Sequence, residues 1–248
     1  MLFRSVCAQH NNGGVRIDAN WQTTVPGLYV IGEAAGSLGI FRPGGTALNS
    51  CQVGGLRAAQ HIVYDSKAKP SANFDLIAAA AIKETDALID ATKGQSSSLD
   101  LMRARYATRM SGNFAFLRSI PEMKAALPEI EKDLKAFTDK NKWATTDEIP
   151  SLFKNLDVIR MSRAIATAIL YTAERFGSRG SGFVLDGGNF MDRIPRPEDE
   201  SGRERIVTVK KDGEDLKIDV VPVRPIPAER DLWFEKVWGA YRKRTQGK

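Results

Sequence analysis

The 248 residues are 42% apolar and 27% charged with a formal net charge of +6, enough apolar material for one large or two modest domains and too mild a charge to demand nucleic acid. No apolar run approaches the ~18 residues of a membrane span, and the opening MLFRSVCAQH lacks the apolar stretch of a secretory signal, so a cytoplasmic location without a membrane span is expected. The two cysteines, Cys7 and Cys51, and the two histidines, His10 and His61, stand singly, which argues against a metal site or a disulfide framework.

In chain order, Val6-Cys7-Ala8 and Val15 to Asp18 read as short strands around His10-Asn11-Asn12-Gly13-Gly14, a turn rich in residues that tolerate left-handed geometry. Within that turn His10 reads as a histidine bonded to backbone. Leu28-Tyr29-Val30-Ile31, between Pro26-Gly27 and Gly32, reads as a buried strand. Glycines then crowd the chain at Gly32, Gly36, Gly39, Gly44 and Gly45, and an Ala-rich helix is expected from Thr46 or Ala47, with His61 on its surface. Strand, glycine loop and helix in this order are how α/β folds place a nucleotide or cofactor at a strand's carboxyl end.

Neither the dinucleotide fingerprint nor the phosphate loop is present; instead Glu33 follows the strand at once and Arg42 sits within the loop. A carboxylate there suits sugar-type hydroxyls rather than phosphate. The helix start aims its positive end back at the loop, which suits a partner that becomes negative. Plainer readings remain for both side chains. Glu33 could be a helix cap or loop acid, and Arg42 a solvated loop arginine or the partner of an acid.

Residues 65–72 read as a linker with Pro70 as a breaker. Helices are then expected over Phe74–Thr92, over Leu99–Ile120 with Ser98 as cap and Pro121 as stop, over Glu122–Thr138 with Pro128 kinking or splitting it, and over Ser151–Phe176. Three or four such helices with short links make a bundle whose apolar stripes are core. GSRGSG at 177–182 follows a helix and is a weak phosphate-loop signal. Arg205–Val209 and Leu216–Val221 alternate around Asp212-Gly213, a hairpin, and Arg230–Arg244 reads as a last helix carrying Trp233, Phe234, Val237, Trp238 and Tyr241.

Gly27-Leu-Tyr-Val-Ile-Gly-Glu-Ala-Ala35, then Arg42-Pro-Gly-Gly-Thr-Ala-Leu48 and Val53-Gly54, resembles the carboxyl-terminal flavin-binding segment of the succinate dehydrogenase and fumarate reductase flavoproteins, a family that includes L-aspartate oxidase. That family reads roughly GLYAAGE, a glycine loop, and NRLGGNSL; Phe41, Pro43 and Thr46-Ala47 are departures. Its helical domain ends in a phrase like ESRGAHYREDxP, in which Ser178, Arg179, Gly180 and Asp186 match and Gly182 stands at the histidine.

By this resemblance the fold is α/β plus α: a partial Rossmann-like FAD-binding segment over 1–66, a helical bundle over 73–182, and an extension over 183–248 with a β-hairpin and a terminal helix. The resemblance also implies FAD as cofactor, with Glu33, Gly45, Thr46, Ala47 and Leu48 facing it, Glu33 on ribose or ribityl hydroxyls and the helix start on the flavin N1/O2 edge. Arg42 and His10 would hold a small carboxylated substrate, although His10 lies one residue nearer the glycines than in the family. The chain is then expected to be the carboxyl-terminal portion of a longer oxidoreductase, inactive alone, whose partners are its upstream FAD-binding and capping domains and an electron-transfer subunit. The alternative is a docking module for such a subunit with a vestigial flavin loop.

Overall fold

The computed structural model of the chain describes residues 13–37, 46–66, 73–178, 182–185 and 205–222. They fall in two compact units, divided between Pro195 and Arg196. Most of the described residues are helical, and the strands form two sheets of two strands each.

In the first unit, residues 13–37 hold together through turns and isolated bridges, Gly14 with Ala35 and Gln22 with Tyr29. The buried strand expected at Leu28–Ile31 is corrected on this point. Leu28 and Ile31 are 50% and 44% exposed, and a single bridge at Tyr29 joins the stretch to its neighbour, so no Rossmann-like sheet is formed among the described residues. An apolar run is buried as a strand only when layers cover both of its faces, and one bridging segment covers neither. After a short 3-10 turn at Gly32–Ala34, helix α1 spans Thr46–Gln60 and continues as a π turn, His61–Asp65.

Helix α2, Phe74–Thr92, follows as expected, but α3 ends early, at Leu99–Asn113. Residues 117–119 become strand β1, Leu117–Ser119, which pairs in parallel with β2, Phe183–Leu185. Ser111-Gly112-Asn113 favours termination there. The Phe183 amide donates to the Phe116 carbonyl and the two rings meet edge to face, interactions that a continued helix would forfeit.

Pro121 does not stop α3. It lies in the first turn of α4, Ile120–Lys135, where a missing N–H costs nothing. Nor does Pro128 split α4, because it sits on an exposed face where water can serve the freed carbonyl; the break comes at Ala136, before the short α5, Phe137–Lys140. Ser98 is not a side-chain cap: its backbone is left-handed, and the Met102 amide bonds its carbonyl instead. Helix α6, Ile149–Phe176, follows a short 3-10 turn, Thr146–Glu148, whose capping box has Thr145 and Glu148 satisfying each other's backbone amides.

Helices α3, α4 and α6 enclose one apolar core around Tyr106, Met123, Ile130, Leu152, Ile159 and Val184. The last turns of α2, with Leu88 and Ile89, lean on it, and the Trp143 indole donates to the Ile89 carbonyl. A separate, smaller core under α1 is built on Trp21, Ala35 and Ala58.

The second unit contains the hairpin of β3, Arg205–Asp212, and β4, Asp215–Pro222. Its two-residue loop is Gly213-Glu214, with only Gly213 at positive φ, so the glycine takes the first loop position as in a type II′ turn. The expected strand at 6–8 and terminal helix at 230–244 lie outside the described residues.

Candidate functional site

The approach to α1 is built from the turn at Asp18. Its carboxylate accepts the amides of Asn20 and Gln22, and Trp21 takes a left-handed backbone at φ 65°, which an indole adopts only when held. The ring lies flat against α1 at Gly54, where a Cβ would stand 2.8 Å from it. Glycine at this position is therefore the condition for the close packing of the chain on the helix.

The stretch then returns through Pro26-Gly27, pairs Tyr29 with Gln22, and enters the turn that carries Glu33. Gly32, at φ 63°, lies so near α1 that a Cβ would meet the Cys51 sulfur at 2.7 Å. Ser37 Oγ donates to the Gly32 carbonyl and lies 2.5 Å from Ser50 Oγ on α1. The Glu33 turn is thus pinned to the first half of α1 at two points, and Glu33 itself is exposed.

At the start of α1, Thr46 and Ala47 are half-buried and Leu48 is exposed. No acid stands in its first turn, so the positive end of the helix is not offset by a carboxylate of its own. The structure brings the Glu33 turn and this helix together; Arg42, His10 and Gly45 lie outside the described residues.

His61 is not the plain surface residue expected from the sequence. Its Nδ1 is 2.7 Å from the Tyr29 hydroxyl, which also accepts from Gln22 Nε2, and the π turn at His61–Asp65 sets the ring in that place. The contact joins the far end of α1 to the Leu28–Ile31 stretch. Nothing in the local pattern signals it.

The bundle holds a second polar constellation that sequence reading missed. Asp133 is fully buried; Lys140 Nζ donates to its Oδ1 at 2.6 Å and Arg109 Nη2 lies 2.7 Å from its Oδ2. Burial alone raises the carboxyl pKa, but the hydrogen bonds and charges of Lys140 and Arg109 outweigh it and hold it below the ordinary carboxylate value. Beside it Asn141 donates to the Tyr106 hydroxyl and accepts from Asn155, which also bonds the Leu99 carbonyl. Burial pushes the Tyr106 hydroxyl above its usual pKa, so it stays neutral. The available signal was positional: Asp133 falls on the stripe Met123, Ala126, Ile130, Phe137 of buried residues.

Arg118, on β1, donates through Nε to the carbonyls of Phe114 and Ala115, and its guanidinium occupies the volume that a side chain at residue 182 would fill. Burial lowers its pKa. Gly182 is thus the seat of Arg118, and residues 179–181 lie outside the described residues.

Among the described residues no group of acids, histidines and cysteines could hold a metal ion, and no helix is long and apolar enough to cross a membrane.

No family model and no curated protein matches the chain. Solved structures do. A single-residue variant of the E. coli quinol fumarate reductase subunit FrdA superposes with a TM-score of 0.69 at 19% identity, covering 88% of this chain and 37% of its own. A quinol-fumarate reductase with menaquinol molecules gives 0.72 at 17%, covering 88% and 38%. Mycobacterium smegmatis Sdh1 in complex with UQ1 gives 0.65 at 19%, covering 94% and 39%. What is shared at such identities is the fold: this chain is built like part of the fumarate reductase and succinate dehydrogenase flavoprotein subunits, and it spans less than two-fifths of their length.

Proposed function

We propose that these residues are the carboxyl-terminal portion of an FAD-dependent oxidoreductase of the fumarate reductase and succinate dehydrogenase type, acting on a small carboxylated substrate. The observation that carries this is the junction of the Glu33 turn with α1, within a fold shared with those flavoproteins. An exposed carboxylate and a helix start free of acids, held together by Ser37, Ser50 and Gly32, suit a cofactor with sugar hydroxyls at one end and a ring that gains negative charge at the other.

Bound there, FAD would supply hydride chemistry. Glu33 would accept hydrogen bonds from ribose or ribityl hydroxyls. The amides of Thr46, Ala47 and Leu48, with Gly45 before them, would face the N1/O2 edge, and the helix end would favour the negative charge of the reduced ring by roughly 0.3–2 kcal/mol. Arg42 would hold a substrate carboxylate through its planar fork, and His10 would assist. The electrons require a second partner, an electron-transfer subunit, and the reaction would take place in the cytoplasm. The 248 residues alone would supply half a flavin site and no turnover.

The test uses the full-length polypeptide that contains these residues. After reduction with dithionite, small unsaturated or keto dicarboxylates should restore its oxidised flavin spectrum, and Arg42→Ala should abolish that response while leaving the flavin bound. Glu33→Ala should instead lower flavin content. A flavin indifferent to every carboxylate and to Arg42 would contradict the substrate assignment.

A further inference from the structure

From Tyr29 to Ser37 the chain runs back along α1, from the far end of the helix toward its start. The Tyr29 hydroxyl meets His61, a Cβ at Gly55 would stand 3.7 Å from Ile31 Cδ1, Gly32 lies against Cys51, and Ser37 reaches Ser50. Glu33 is carried on this stretch between two polar anchors. From Ser50 to His61 the helix advances roughly 16 Å. A turn held at one point can pivot, whereas one held at two points so far apart keeps its angle as well as its place.

The far anchor is complementary in its protons. Gln22 Nε2 donates to the Tyr29 hydroxyl at 3.3 Å, which leaves the hydroxyl's own proton for His61 Nδ1 at 2.7 Å, so the imidazole carries its proton on Nε2. Packing does not explain this arrangement. The Tyr29 ring leans on the small core of Trp21, Ala35 and Ala58, a task that a phenylalanine would perform as well. Only the hydroxyl needs His61, and the imidazole reaches it from a turn more than thirty residues away, set by the π geometry at His61–Asp65.

We propose that Tyr29 and His61 are positioning residues for the cofactor: through the Glu33 turn, their hydrogen bond fixes the angle at which the Glu33 carboxylate meets the sugar hydroxyls, so that flavin retention is set in part from the far end of α1. This rests on the flavoprotein reading above and adds to it two residues that act through Glu33.

The test is a double-mutant cycle on flavin affinity in the full-length polypeptide that contains these residues. Tyr29→Phe, which keeps the ring, and His61→Leu should each weaken flavin binding about three- to tenfold, the worth of one hydrogen bond. His61→Asn, whose Oδ1 can stand in for Nδ1 as acceptor, should restore binding to within about twofold. In a Glu33→Ala background neither Tyr29→Phe nor His61→Leu should weaken it further, because the effect passes through that carboxylate; a contact that merely held the fold together would add its loss in both backgrounds. Undiminished affinity in Tyr29→Phe, or equal losses with and without Glu33, would overturn the inference and leave the flavin reading standing. In a polypeptide that binds no flavin, hydrogen exchange at the Ala35 and Gly36 amides, which bond the Gly32 and Glu33 carbonyls, gives the answer. Faster exchange there in Tyr29→Phe and in His61→Leu, but not in His61→Asn, would uphold the positioning of the turn and sink the flavin reading. Unchanged exchange would overturn the inference.

Discussion

Replacing Asp133 with alanine would remove the one carboxylate that two cations share inside the bundle. Lys140 keeps 33% of its side chain exposed and can swing to water, but Arg109 keeps 13% and cannot, and Arg109 Nη1 already lacks a hydrogen-bond partner among the described residues. The cost therefore falls mainly on a stranded guanidinium. Breaking a buried pair costs about 3–5 kcal/mol, and the escape of Lys140 places this case near the lower end. With a urea dependence of about 1–3 kcal/mol per molar, the helix signal in circular dichroism should lose its midpoint by about 1.5 M.

The same residue sets an acid limb. Because its pKa in the fold lies below the ordinary 3.8, its contribution is complete above that value and is lost as pH falls through the lower, folded value. Asp133→Ala should flatten this limb. Adding Arg109→Met to Asp133→Leu should recover most of the loss, since an apolar pair of similar volume needs no compensation. A loss under about 1 kcal/mol for Asp133→Ala, or an unchanged acid limb, would refute the ion-pair account.

Gly54→Leu should drive a side chain into the Trp21 ring and loosen residues 13–37 from α1, costing about 1–3 kcal/mol there and speeding proteolysis between residues 13 and 66 without moving the bundle's midpoint. Gly182→Ala should displace the Arg118 guanidinium, and limited proteolysis should then cut beside β2 first. Glu148 is held below its ordinary pKa by the Ala144 amide, Ser96 and Thr145, so an NMR titration should find it under 4.5, and the start of α6 should fray as pH falls through that lower value; in Glu148→Gln this dependence should disappear.

The helices were legible because their apolar stripes and breakers are local. The bounds of α2, Phe74–Thr92, are those read from its apolar pattern, and the hairpin follows from alternation around Gly213. What misled were features decided at a distance. Residues 114–119 carry a helical pattern but leave the helix, with Leu117–Ser119 as β1, because Phe183 and Val184 come back beside them from more than sixty residues later. Leu28–Ile31 reads as a buried strand, yet burial needs covering layers that the described residues do not supply. At the candidate site, Glu33 and the α1 start could be read from glycine density and helix polarity. The Ser37–Ser50 and Tyr29–His61 contacts could not, since neither residue type nor spacing announces a pairing across 13 or 32 positions.

The measurement that bears most directly on the account is the absorbance spectrum of the purified full-length polypeptide containing these residues, taken with and without Glu33→Ala. The account predicts flavin bands near one equivalent per chain and a marked fall in the variant. A colourless polypeptide, or flavin retained in full without the Glu33 carboxylate, would contradict it.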